Sequence, residues 1–300
     1  MTRLLPLALL LAACSPATPP PEKVSTTVQP NHATYGTDAN LAASKPDAIL
    51  RYAEHKRGFA ELRLPEGKGP FPLAVIYHGG CWKTGIASQA YMAPLATRWQ
   101  QQGIATLNVD YREVGDGGGW PGSFDDWAGS AKLVDEVAAK YPIDRARVTL
   151  VGHSAGALPA LWLAERQGAN GPDGAREPLA ARAAIVLDGP GDVAAERPAF
   201  DALCQFSAVD PFMGGEPQRL PERYQAVSPF SAAPKLAEVL FVQAKLPAPS
   251  AATQAAIAAG GAQVTIRENP QASHFAIITP GSDIYAANEP AMLAVLRGAK

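Results

Sequence analysis

The 300-residue chain carries 26 basic and 28 acidic side chains, a formal net charge of −2, and 47% hydrophobic residues against 18% charged. That length and composition suit one large α/β domain or two small ones with a sizeable core. The near-balanced charge, without a basic cluster, argues against nucleic acid as a partner.

The chain opens with a short positive start, Met1 to Arg3, and an apolar run, Leu4 to Ala13, too short to span a bilayer as a stable helix. The run ends in Leu11, Ala12, Ala13 and Cys14, which resembles a bacterial lipobox. The expectation is a signal peptide over 1–13, cleavage before Cys14 and a lipid on that cysteine, anchoring the protein to a membrane of the cell envelope. Ser15 favours the outer membrane. The alternative is an ordinary secretory signal with a chance cysteine. Residues 14–46, with Pro16, Pro19, Pro20, Pro21 and Pro30 among Ser, Thr and Ala, read as an extended tether. The domain then runs from 47 to 300.

Ile49 to Ala53 and Phe59 to Leu64 read as an opening hairpin. Leu73 to Tyr77 is a continuous apolar run, the pattern of a buried parallel strand. Gln89 to Gln102 reads as a helix, Ile104 to Val109 as the next buried strand, and Phe124 to Lys140 as an amphipathic helix. Val148 to Val151 is a strand, and Ala155 to Arg166 a helix. Three more strands are expected at Ala183 to Leu187, Val239 to Val242 and Val264 to Arg267, and a last helix at Ile284 to Arg297. Strands separated by helices imply a mostly parallel central sheet flanked by helices. The Pro-rich stretch 191–234 has no period and reads as an irregular cap inserted after the sixth strand.

Gly152, His153, Ser154, Ala155 and Gly156 read as G-x-S-x-G between a strand and a helix, the context of a nucleophile elbow. Ser154 needs a base. Among the histidines only His274 lies downstream, after the last strand; His153 is expected to point elsewhere. The order Ser…acid…His is that of α/β-hydrolases, and imidazole can take and return a proton near neutral pH. His78, Gly79, Gly80, Cys81 and Trp82 follow the strand ending at Tyr77 and resemble the H-G-G-G-type loop of esterases. Backbone N–H groups of Gly80, Cys81 and Ala155 are expected to form the oxyanion hole. Trp82, Trp120 and Tyr111 either line the substrate pocket or pack in the core.

The stretches Tyr77 to Trp82, Asp110 to Arg112, Gly118 to Gly122, the elbow, Met213 to Gly215, Pro221 to Tyr224, Ser228 with Pro229, and Ser273 to Phe275 occur in this order. Together they resemble α/β-hydrolase fold esterases related to the acetylxylan/feruloyl esterase and kynurenine formamidase-like groups, over residues 50 to 298. The resemblance implies an α/β-hydrolase fold and a serine hydrolase acting on carboxylic esters, with no cofactor. It also implies a disulfide between Cys81 and Cys204, where the residues alone leave two buried thiols open. One departure concerns the acid. Such proteins carry Gly-x-x-Asp after the strand that is Val239 to Val242 here, yet no carboxylate lies between Glu238 and Glu268. Three readings stay open: Asp188 at the end of the preceding strand, Asp192 in the following turn, or no acid at all. Beside ester hydrolysis stand amide or formamide hydrolysis and a catalytically inactive, hydrolase-like binding lipoprotein. No residue spacing suggests a metal site, and neither the substrate nor the oligomeric state is readable.

Overall fold

The computed structural model describes Met1, residues 41–165 and residues 179–298. Apart from Met1, the expected signal segment, Cys14 with its expected lipid, and residues 15 to 40 of the expected tether lie outside the described residues, as does Arg166. Eight strands form one sheet: β1 (Ala48–Arg51), β2 (Phe59–Arg63), β3 (Phe71–Tyr77), β4 (Ala105–Val109), β5 (Ile143–His153), β6 (Ala183–Leu187), β7 (Glu238–Gln243) and β8 (Gln263–Glu268). Their spatial order is β1-β2-β4-β3-β5-β6-β7-β8. The β1–β2 and β2–β4 pairs are antiparallel, and every other neighbouring pair is parallel.

Helices cover both faces: α1 (Ala93–Gln101), α2 (Gly122–Lys140) and α3 (Ala157–Trp162) in the first half, and the closing helix (Asp283–Arg297) at the end. In β3, Leu73, Val75 and Tyr77 enter a core shared with Trp127 and Val134 of α2 and Trp162 of α3. Ala74 and Ile76 enter a second core with Leu95 and Trp99 of α1 and Met292 of the closing helix. Two buried faces explain why this strand shows no polar alternation. After β4 the chain crosses to the other side of β3. The ends of β3 and β5 therefore flank the point where strand order reverses, and open α/β sheets bind ligands there, at the carboxyl ends of their strands.

Three features differ from expectation. The strand expected at Val148 begins at Ile143. The pairing with β3 jumps from Phe71↔Ile143 to Leu73↔Val148, and the polar residues between them, with Arg147 ion-paired to Asp144 at 2.6 Å, hide the strand from an apolar reading. The cap is not irregular. It holds α4 (Arg197–Cys204), α5 (Val209–Met213) and α6 (Pro221–Gln225), two of which carry proline in the first turn, where the missing N–H is harmless. Another helix, α7 (Ala251–Ala258), starts from Ser250, whose hydroxyl accepts the Thr253 N–H at 3.1 Å. Its alanine-rich face leaves little apolar periodicity to read. The closing helix is α8.

A cluster of ionisable side chains, two buried and two half-buried, ties the opening hairpin to the loop after β4. Arg57 lies 3.0 Å from Asp110, 3.0 Å from Glu113 and 2.5 Å from Asp116. Glu113 is fully buried. Burial pushes its carboxyl up to about 9, aided by the neighbouring Asp110 and Asp116 and opposed by Arg57. The folded protein thus holds a proton that the unfolded chain sheds near the ordinary value of 4.5, so this residue makes stability fall as pH rises through the window between the two values. The Glu113→Gln variant should lose that slope. Guanidinium unfolding from about pH 5 to about pH 9 should show the wild type declining relative to the variant as pH rises, and parallel curves would contradict this.

Candidate active site

Ser154 follows β5 directly and holds φ +55°, a left-handed conformation that only a tightly held turn imposes on a residue with a side chain. The chain then enters a short 3-10 turn, Ser154–Gly156, and α3. The turn closes because its glycines lack side chains. A Cβ on Gly152 would collide with the Gly156 backbone, and one on Gly156 with the backbone of Tyr77.

Tyr77 pairs with Gly152, so the loop after β3 arrives beside the elbow. Gly80, Cys81 and Trp82 all have positive φ, at +116°, +53° and +52°, reversing the chain over the serine. A Cβ on Gly79 would stand 2.8 Å from that of Ser154 and 2.9 Å from the His153 carbonyl oxygen. The Gly79 N–H donates to the Tyr91 hydroxyl at 2.5 Å. Gly80 and Cys81 line a cleft of about 500 Å³ together with Ser154 and His274. Ala155, wholly buried, follows Ser154 in the 3-10 turn. His78 is also buried, between the Gly79 carbonyl at 2.6 Å and Asp110 at 3.1 Å, and it stacks on Tyr111 with ring centres 4.3 Å apart. Tyr111 is thus a packing aromatic.

His274 sits on the loop after β8, and its Nδ1 lies 2.7 Å from Oδ2 of Asp188. Asp188 is the residue after β6, fully buried, with φ +47°. The loop after β7 donates to its carboxylate from Ala244 at 2.8 Å, Lys245 at 2.9 Å and Leu246 at 2.9 Å. Burial favours the neutral acid, but the hydrogen bond and charge of His274, together with the Ala244 and Lys245 N–H groups, outweigh it and hold the carboxyl below its ordinary value. Asp192 is engaged elsewhere. It accepts from the N–H groups of Ala194 and Ala195 at 2.9 and 2.7 Å and from the Ser228 hydroxyl at 2.5 Å, the pattern of a turn aspartate.

Two expected pocket residues are not there. Trp82 is completely buried; its ring stacks on Phe212 at 4.4 Å and packs on Phe200 at 4.8 Å, so it anchors α4 and α5 of the cap. Its left-handed backbone turns the ring away from the cleft. Trp120 packs edge-on against Phe124 at 5.0 Å, with the Arg223 guanidinium 5.3 Å over its ring. The cleft walls are Ile86, Ala87, Leu203, Phe206 and Phe275 instead. Cys81 and Cys204 are bonded, with S–S 2.09 Å and Cα–Cα 6.0 Å, which joins α4 to the loop after β3. Two cleft residues were not foreseen. His153 does not point away: its ring centre lies 4.5 Å from that of His274, and Tyr91 is hydrogen-bonded to it at 2.7 Å. Adjacency to Ser154 was the only trace of the first, and nothing in the sequence marked the second. Among the described residues, no group of three or more His, Cys, Asp or Glu is placed to hold a metal, and no helix is long and apolar enough to cross a membrane.

Comparison with known proteins gives the fold and the family. No curated protein matches the chain. Many solved structures do. A truncated carbohydrate esterase from gut microbiota is 18% identical with a TM-score of 0.65, covering 86% of this chain and 98% of its own. Esterase B from Lactobacillus rhamnosis is 16% identical with a TM-score of 0.67, covering 89% and 90%. A thermophilic esterase from the planctomycete Thermogutta terrifontis is 18% identical with a TM-score of 0.61, covering 82% and 89%. At such identities these likenesses speak for the fold. The BD-FAE family model matches residues 61–243, more than half of the chain, and takes in the loop after β3, the elbow and Asp188. The chain therefore belongs to BD-FAE, a family of α/β-hydrolase esterases.

Proposed function

We propose that the protein hydrolyses neutral carboxylic esters through an acyl-enzyme on Ser154. The observation that carries this reading is the 2.7 Å contact of His274 with the buried Asp188, at a cleft that His274 shares with Ser154. His274 takes the proton of the Ser154 hydroxyl as its oxygen bonds to the ester carbonyl carbon. Negative charge gathers on the carbonyl oxygen, and the N–H groups of Gly80, Cys81 and Ala155 receive it. The carbon–oxygen bond to the alcohol then breaks, and His274 returns its proton to the leaving alkoxide. Water, giving a proton to the same imidazole, attacks the acyl-enzyme and releases the acid and the free serine. Asp188 stays ionised throughout, holding Nδ1–H and stabilising the imidazolium. Among the described residues, the cleft walls bring no acidic, lysine or arginine side chain, which supports uncharged acyl and alcohol groups. The N-terminal segment ending at Cys14 supports attachment of this domain to an envelope membrane through lipid on that cysteine.

Three outcomes are expected. A fluorophosphonate probe should label the wild type and not Ser154→Ala, and an unlabelled wild type would remove the enzyme reading. Asp188→Asn should lower kcat by about 10³–10⁴ while leaving the unfolding midpoint of a folded protein measurable; a comparable loss in Asp192→Asn alone would move the acid. Expressed with its own leader, the wild type should partition into a Triton X-114 detergent phase and Cys14→Ser into the aqueous phase. Equal partitioning would refute the anchor.

A further inference from the structure

Tyr91 and His153 stand beside the reacting groups and have no part in the steps above. Tyr91 lies in the 3-10 turn Gln89–Met92, which leads into α1, and its hydroxyl is buried. Three hydrogen bonds run through the pair: Gly79 N to Tyr91 Oη at 2.5 Å, Tyr91 Oη to His153 Nδ1 at 2.7 Å, and His153 Nε2 to the His274 carbonyl oxygen at 3.1 Å. For a neutral His153 ring, these three bonds allow one arrangement of protons. An amide N–H only donates, so the Tyr91 oxygen accepts from Gly79 and its own proton goes to His153 Nδ1. A carbonyl only accepts, so the proton of His153 must be on Nε2. Burial pushes the Tyr91 hydroxyl well above its ordinary value, against the pull of the Gly79 N–H, which keeps that proton in place to be donated.

We infer that Tyr91 and His153 are positioning residues, linked in a relay that ties the oxyanion loop to the backbone of His274 and holds a neutral Nε2–H imidazole beside the reacting histidine. Its catalytic meaning rests on the esterase reading. One end of the relay uses up the Gly79 N–H and fixes the peptide before Gly80, leaving the next N–H groups to face the cleft. The other end holds the loop that presents His274. Phe275 closes the cluster, packing edge-on to Tyr91 at 6.1 Å and against His153 at 5.4 Å. The protonation pattern matters because His274 becomes an imidazolium in the transition state. A second imidazolium with its ring centre 4.5 Å away would oppose that charge. With Nδ1 committed as an acceptor to Tyr91, His153 carries none.

Two measurements test the relay. Nitrogen NMR of histidine-labelled protein, with His153 assigned by its absence in His153→Ala, should show a protonated Nε2 and a bare Nδ1 in both the wild type and Ser154→Ala. An Nδ1–H tautomer or a doubly protonated ring at neutral pH would overturn the inference. In p-nitrophenyl acetate hydrolysis, Tyr91→Phe and His153→Ala should each lower kcat by about 10- to 100-fold with KM within about threefold. The double variant should fall no more than about threefold below the weaker single one, because both act through one link. Retention of wild-type kcat in either single variant, a loss confined to KM, or fully multiplicative effects would each overturn it. The NMR measurement needs no turnover. An inactive wild type would therefore overturn the esterase reading and leave the relay to be judged by the tautomer.

Discussion

The loop after β3 and the turn after β5 meet with no room for a side chain between them, and the rest of the site is arranged around that approach. Tyr77 and Gly152 are partners in adjacent parallel strands, so both strands deliver their loops to the same edge of the sheet. A methyl group on Gly156 would strike the Tyr77 backbone, and one on Gly79 would crowd Ser154. Because neither is present, the serine and the loop that faces it sit in van der Waals contact. Backbone groups can then act on an oxygen bound to the serine without a flexible side chain between them. The positive φ values of Ser154, Cys81 and Trp82 are the local cost of this packing, and the buried neighbours on both sides make it sustainable.

The setting of Asp188 follows from a second constraint. A carboxylate at the buried end of β6 would be costly to ionise alone. Asp188 is not alone: three consecutive N–H groups of the loop after β7 point at it, and His274 supplies the fourth partner. The esterases that this chain resembles carry an Asp after the equivalent strand, where this chain has no carboxylate. In this chain the loop contributes donors to a carboxylate at the end of the neighbouring strand, and the same carboxylate meets the His274 imidazole.

Much of the architecture was legible because buried strands leave continuous apolar runs and the elbow has a rigid glycine spacing. Ser154 and His274 were legible for the same reason: a turn with steric demands and a single downstream imidazole. What escaped depended on contacts distant in sequence. The first half of β5 is polar because a register jump exposes it. The alanines of α7 carry no stripe. Trp82 sits where a pocket aromatic would be expected, yet its backbone conformation sends the ring into the cap. Tyr91 comes within reach of the Gly79 amide only when α1 docks on the sheet, and no local pattern announces that.

The Cys81–Cys204 bond spans 123 residues, and the chain it encloses holds β4, α2, β5, Ser154, β6 and Asp188. His274 lies outside. The disulfide thus closes a covalent ring, with chain extending from it at both ends: Ser154 and Asp188 belong to the ring, and His274 belongs to the C-terminal extension, joined to the ring through the backbone alone. A single backbone cut between Trp82 and Leu203 leaves one covalent body under non-reducing conditions, whereas a cut between Gln205 and Ser273 frees the segment bearing His274. Proteolytic damage of equal extent therefore has unequal consequences on the two sides of Cys204, and the segment that no disulfide retains is the one that bears His274.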